Sequence, residues 1–191
     1  MAYLTLDQLR GTAKFQNPVL QNGARKSLSS RNTVFLSHSH EDADLILAAM
    51  NFLLTIGVDV YVDWLDDSMP AVTSGETATK IKAKIAECER FVVLLSEKSV
   101  ESKWVPWELG YADGVKDINR IAIMPIRRSE YTSGSKFDGM EYISLYPVIK
   151  EGFYDGGKTF ATIFPPKRLG GTGTGYRVDL TWLSSGRVVR F

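Results

Sequence analysis

The stretch FVVLLSEKSVESKWVPWELGYA, residues 91–112, decides how the rest of the chain is read. It opens on an apolar run, Phe91-Val92-Val93-Leu94-Leu95, and turns polar at Ser96. A short continuous run of this kind fits a strand buried on both faces, as in parallel sheets. A helix is predicted to follow, with Ser102 capping its first free N–H groups. Pro106 is tolerated in the first turn, where its missing N–H has no partner to lose. Gly110 and Ala112 are small enough for close packing of that helix on a sheet. Glu108 lies four residues after Trp104, a spacing that puts both on one helix face. The stretch therefore passes from strand to helix on the carboxyl-end side of a sheet, where open α/β folds bind ligands.

Working outward, the same alternation repeats. Thr33-Val34-Phe35-Leu36-Ser37 reads as a first core strand, stopped by Ser37-His38-Ser39-His40 and a run of acids. Leu45, Ala48, Ala49, Phe52 and Leu53 then recur at helical spacing, with Asp42 or Ser39 suited to cap the start and Gly57 the end. Val58 to Asp63 is a second strand, and Trp64 to Gly75, with Asp66, Asp67 and Pro70, is a long loop. Ile81 and Ile85 mark the stripe of a helix over residues 76–88. Asn119 to Ile126 is a further strand, where Pro125 predicts an end near Met124 or a sheet edge. Ile143 to Ile149 is a fifth. Strands alternating with helices predict an α/β fold with a parallel sheet covered on both faces.

The flanks read differently. Residues 1–32 are weakly patterned, an arm or linker with one short helix capped by Thr5, and residues 33–150 hold the α/β domain. Residues 151–191 form a glycine-rich extension. In it, Tyr176 to Trp182 and Val188 to Phe191 are predicted to pair as a hairpin around Ser184-Ser185-Gly186-Arg187.

Composition narrows the function. With 23 basic and 22 acidic side chains the net charge is +1, which gives no electrostatic case for nucleic acid or an anionic membrane as partner. No apolar run is long enough to span a bilayer, and the first residues lack the pattern of a signal peptide. The single cysteine, Cys88, excludes an internal disulfide and suits a reducing cytoplasm.

Most local motifs have plain readings. Gly170-Gly171-Thr172-Gly173-Thr174-Gly175 lacks the lysine and helix of a phosphate loop and reads as a flexible loop. Cys88 has no base beside it and reads as a small buried residue. His38 and His40, with Glu41, Asp42 and Asp44 nearby, raise the question of a metal. A metal site needs three or four converging ligands, and no CxxC or HExxH pattern supplies the rest. The expectation is no metal, with His38 lining a polar cleft and the acids starting a helix. Glu108 has two readings: a solvated charge near a helix start, favoured by about 0.3–1 kcal/mol, or a working carboxylate against the indole of Trp104.

Val34-Phe35-Leu36-Ser37-His38-Ser39, Asp59-Val60-Tyr61-Val62-Asp63-Trp64 and Val92-Val93-Leu94-Leu95-Ser96, followed by Ser102-x-Trp104-x-x-x-Glu108-Leu109, come in an order and spacing that settle between them. Together they resemble the Toll/interleukin-1 receptor (TIR) domain, especially its bacterial and plant-like members, over about residues 32–150. The resemblance implies a flavodoxin-like, three-layer fold with a central five-stranded parallel sheet. In the enzymatic branch it implies cleavage of the nicotinamide–ribose bond of NAD, with NAD as substrate and no cofactor. Glu108 matches that branch's essential glutamate, which receptor and adaptor members generally lack. Phe35, Ser37, His38, Asp63, Trp64, Ser102 and Trp104 are then the expected substrate-binding residues. The resemblance also implies self-association through TIR–TIR contacts, and bacterial antiviral signalling through a nucleotide product sensed by an effector. Two other classes fit less of the pattern: a non-catalytic TIR assembly module, and a nucleoside deoxyribosyltransferase-like enzyme.

Overall fold

In the computed structural model, residues 3–12, 33–55, 58–70, 74–129, 141–153 and 159–164 are described. Among them are seven strands: β1 (Leu4–Thr5), β2 (Thr33–Ser37), β3 (Asp59–Tyr61), β4 (Arg90–Leu95), β5 (Ile121–Arg127), β6 (Val148–Phe153) and β7 (Thr159–Phe164). The α-helices are α1 (Leu6–Thr12), α2 (Ala43–Thr55), α3 (Gly75–Glu87), α4 (Glu97–Glu101) and α5 (Trp104–Val115).

The sheet order is β3-β2-β4-β5-β6-β7, with β1 paired to β5. Its first five members are mutually parallel. This is the flavodoxin-like order, whose switch point lies between β2 and β4. Beyond it β6 and β7 form an antiparallel hairpin from Val148↔Phe164 to Phe153↔Thr159.

Alternation along the strands builds the two cores. Val34, Leu36, Val92, Leu94, Ala122 and Met124 face α1 and α2, where Leu9, Leu45, Ala49 and Leu53 meet them. Phe35, Phe91, Val93, Leu95, Ile121 and Ile123 face α3 and α5, where Ile81, Ile85, Val105, Leu109 and Ala112 close the other layer. Burying a side chain such as Ile85 completely is worth about 1.5–3 kcal/mol.

Three expectations change, at Pro125, Ile143 and Gly110. The N-terminal arm packs on the domain over residues 4–9: Leu4, Leu6 and Leu9 are buried, and β1 pairs with Ile126 and Arg127. The predicted Thr5 cap is present, because Gln8 N–H donates to its hydroxyl at 3.2 Å and the Gln8 amide oxygen accepts from Thr5 N–H at 2.8 Å. Pro125 does not mark an edge, since it pairs with Leu95 inside the sheet. Ile123 N–H donates toward β6, to Pro147, at 2.8 Å. By alternation the missing N–H of Pro125 faces the same side, between the β6 pairing at Ile123 and the β1 pairing from Ile126. The fifth parallel strand begins at Val148 rather than Ile143, because Glu141–Leu145 winds into a 3-10 turn. Gly110 is exposed, and a Cβ there would meet nothing within 4 Å, so the close helix–sheet contact falls to buried Ala112 alone. Gly57 and the hairpin expected at residues 176–191 lie outside the described residues.

Candidate functional site

The site forms where β2, β3 and β4 end. Ser37 closes β2, and Asp63 opens the 3-10 turn after β3. Glu108 sits in the second turn of α5, which β4 reaches through the short helix α4. Ser102 anchors α5 as expected: its hydroxyl accepts from Trp104 N–H at 3.2 Å and from Val105 N–H at 3.4 Å. Pro106 is the third residue of the helix. These caps fix the helix start, and so the depth at which Glu108 enters the sheet.

Glu108 is 5% exposed. The Ser37 hydroxyl donates to its Oε2 at 2.5 Å, joining residues that the sequence holds 71 positions apart. Burial pushes its pKa up from 4.5 to about 8. The Ser37 bond and His40 pull the other way, while the charge of Asp63 pushes further up. At neutral pH the carboxyl is mostly protonated. One hydroxyl donor does not offset the loss of water around a buried carboxylate.

Beside it stand two histidines and an acid. His38 Nδ1 lies 2.8 Å from Leu36 C=O, which only accepts, so Nδ1 carries the hydrogen. Burial lowers the His38 pKa against the raising effect of Asp63, so the ring is neutral and its Nε2 bears a lone pair. That buried Nε2 has no hydrogen-bond partner and faces Asp63 Oδ1 at 3.4 Å. His40 Nε2 lies 3.4 Å from Asp63 Oδ2, and the two imidazoles stack with centroids 5.4 Å apart. Bonding to Asp63 raises the His40 pKa. For Asp63 burial acts upward, but the His40 bond and the two imidazoles outweigh it and lower its pKa.

The acids expected beside the histidines point elsewhere. Glu41 pairs with Lys98 at 2.9 Å. Asp42 accepts from the Ser96 hydroxyl and, at 3.1 Å, from Arg128, which also reaches Asp44 at 2.7 Å. Asp63 is the acid that converges on the histidines, 23 positions beyond His40 and on a different strand end. His40 stands out in the sequence beside His38, but its tie to Asp63 has no local signal, because the pairing of β2 with β3 brings the two together.

The aromatic residues divide. Phe35 is committed to the core, its ring 5.6 Å from Phe91 and 5.5 Å from Tyr61. Trp104 is half-buried and meets Trp107 edge-on at 5.1 Å. Trp64 is 42% exposed beside Asp63, whose carboxylate accepts its N–H at 2.9 Å. The loop that follows is pinned at Asp66, which accepts from Tyr61 OH at 2.7 Å and Ser68 N–H at 2.9 Å.

These features define a flavodoxin-like domain with a buried glutamate at its switch point. The TIR domain family model matches residues 34–154, and the chain belongs to that family. A Bacillus cereus (strain MSX-D12) protein, "Probable 3' cyclic ADP-D-ribose synthase ThsB'", is 40% identical over 121 residues, covering 62% of this chain and 61% of the relative. "Putative cyclic ADP-D-ribose synthase TIR2" of Cytobacillus dafuensis is 30% identical over 82 residues, 41% of this chain and 22% of the relative. The chain thus spans less than two thirds of either relative. Among solved structures, the TIR domain of the Toll-related receptor TRR-2 from Hydra magnipapillata covers 58% of this chain and 81% of its own, at 17% identity and a TM-score of 0.39. No helix among the described residues is long and apolar enough to cross a membrane.

Proposed function

We propose that this chain cleaves the nicotinamide–ribose bond of NAD and closes the remaining ADP-ribosyl group into a cyclic isomer, with hydrolysis to ADP-ribose as the competing outcome. The observation that carries the reading is the buried carboxyl of Glu108, held by Ser37 at the carboxyl end of the sheet. The relatives named as cyclic ADP-D-ribose synthases support the class of product.

The chemistry needs one anionic group and no metal. Nicotinamide leaves with the electron pair of its bond to ribose C1′ and becomes neutral. Positive charge passes to the ribose as oxocarbenium character, as in glycoside cleavage. A carboxylate beside the ring stabilises that charge. Glu108 in the free site is mostly protonated, because burial pushes its pKa to about 8. The cationic nicotinamide ring reverses this by favouring the charged carboxylate, and the Ser37 O–H donates to that form. An adenine nitrogen or a ribose hydroxyl of the same molecule then attacks C1′ and closes the ring with release of a proton; water attacking instead yields ADP-ribose and a proton. His38 and Asp63 meet polar groups of the substrate from the β2 and β3 side, and Trp64 and Trp104 offer flat surfaces to a base. The active form self-associates through TIR–TIR contacts, and the nucleotide product signals to an effector in bacterial antiviral defence.

The test is mass spectrometry of NAD incubated with the chain and with Glu108→Gln. Nicotinamide and a cyclic ADP-ribose isomer are expected from the chain, and a loss of at least about a hundredfold from the variant. Equal nicotinamide release from a folded variant overturns the reading. Association that survives Glu108→Gln with no turnover in the assembled protein favours the assembly-module class. Turnover of a deoxynucleoside but not of NAD favours the deoxyribosyltransferase class.

A further inference from the structure

The cluster of His38, His40 and Asp63 brings together more donor atoms than the substrate contacts assigned above to His38 and Asp63 require. His38 is the informative member. Its Nδ1–H is spent on Leu36 C=O, which fixes the ring and turns the lone pair of Nε2 toward Asp63. That nitrogen is buried and has no hydrogen-bond partner, and a carboxylate oxygen faces it at 3.4 Å. Two electron-rich atoms in such a position repel each other unless a positive centre lies between them. Donation of the second ring nitrogen to a backbone carbonyl is also how metal-ligating histidines are held in their tautomer.

The spacing fits a small cation. Ligands about 2.0–2.1 Å from a tetrahedral Zn²⁺ stand about 3.4 Å from each other. His38 Nε2 stands 3.4 Å from Asp63 Oδ1 and His40 Nε2 3.4 Å from Asp63 Oδ2, so each imidazole faces one oxygen of the carboxylate, and one donor atom from each residue lies within 4.8 Å of the others. His40 is largely exposed, so it is free to adjust its ring and leaves the site open to solvent on one side. Two imidazoles and one carboxylate form a nitrogen-rich donor set, which selects borderline transition metals over Mg²⁺ or Ca²⁺.

We propose that His38, His40 and Asp63 bind one divalent transition-metal cation of the Zn²⁺ and Co²⁺ class, with water completing the coordination. The site is composite. The sequence Ser37-His38-Ser39-His40 brings two ligands from the end of β2, and the turn after β3 brings the third. It stands independently of the NAD reading, because it needs neither Glu108 nor a nucleotide.

The experiment titrates the untagged full chain, stripped with chelator, with Co²⁺ while recording visible absorption, and with Zn²⁺ by calorimetry. One ion per chain is expected, with the enhanced visible bands of a four- or five-coordinate ion. His40→Ala changes an exposed residue, and Asp63→Asn keeps the side chain's shape. Each is expected to weaken binding at least about tenfold while far-UV circular dichroism stays native. Cys88→Ser is expected to leave binding unchanged, because that thiol is buried and pushed up to about 12. A spectrum that stays that of hydrated Co²⁺ overturns the proposal. So does unchanged affinity in folded His40→Ala, or a sulfur charge-transfer band lost in Cys88→Ser.

Discussion

Of the three buried carboxylates at this end of the sheet, Asp42, Asp63 and Glu108, the first and last are treated in opposite ways. Asp42 is 1% exposed and Glu108 is 5% exposed. Asp42 accepts from the Ser96 hydroxyl and from the Arg128 guanidinium, so its charge is met within the fold. The same Ser96 oxygen accepts from Lys98 N–H and Ser99 N–H to cap α4, so this corner ties β2, β4 and the segment after β5 together. Glu108 has a hydroxyl partner too, Ser37, but among the described residues no guanidinium or ammonium pairs with it. Burial therefore raises its pKa. One corner is completed by the protein itself, and the other is completed by a positive charge brought from outside. In the proposed reaction that charge is the cationic nicotinamide ring of NAD and then the ribosyl cation formed as nicotinamide leaves.

The largest expected effect that sharpens this contrast is on pH dependence. If ionised Glu108 is the form that cleaves, kcat/KM for nicotinamide release rises with pH, by about fiftyfold from pH 6 to pH 8, and levels off above. Asp63 and His40 are the other titrating groups whose charge reaches Glu108, so the profile is measured in metal-free buffer and repeated in His40→Ala. A flat profile breaks the contrast. The next effect belongs to the other corner. Asp42→Ala leaves the buried Ser96 hydroxyl without its acceptor and is expected to cost about 1–3 kcal/mol. Thermal unfolding then shows a Tm lower by about 2–4 °C for each kcal/mol. A smaller effect is expected from Trp64→Ala, where loss of an exposed stacking surface raises the KM for NAD about five- to tenfold and leaves Tm nearly unchanged. The smallest is Asp44→Ala. Its pairing with the half-exposed guanidinium of Arg128 is largely replaced by water, and Arg128 keeps Asp42, so denaturant unfolding should show a loss of at most about 1 kcal/mol.

How far the sequence carried this account depended on whether a feature was local. The strands from Val34, Val60 and Val92 and the stripe of Ile81 and Ile85 announce themselves by period, and all appear in the two packed layers. Glu108 stood out for the same reason, through its place after a buried strand and its spacing from Trp104. Features made by pairing were not legible. β1 has two residues, too few to show a period, and it is defined by its partner β5. The acid that joins the histidines is Asp63, because Glu41 is turned to Lys98 while Asp42 and Asp44 share Arg128. Phe35 looked like part of the first motif, yet its place between Tyr61 and Phe91 follows from alternation along β2.

The central claim is that Glu108 is kept for chemistry at a cost to the fold, and stability and turnover of Glu108→Gln in the same samples test it together. A carboxyl raised from 4.5 to about 8 binds more protons folded than unfolded between those pH values, so stability is lost as pH rises through that window. Glutamine accepts the same Ser37 bond without ever carrying charge. The account predicts that Glu108→Gln abolishes nicotinamide release and raises Tm, with the gain growing from pH 5 to pH 8 and levelling off above. Retained turnover, or a Tm that falls in parallel with activity across that range, contradicts it.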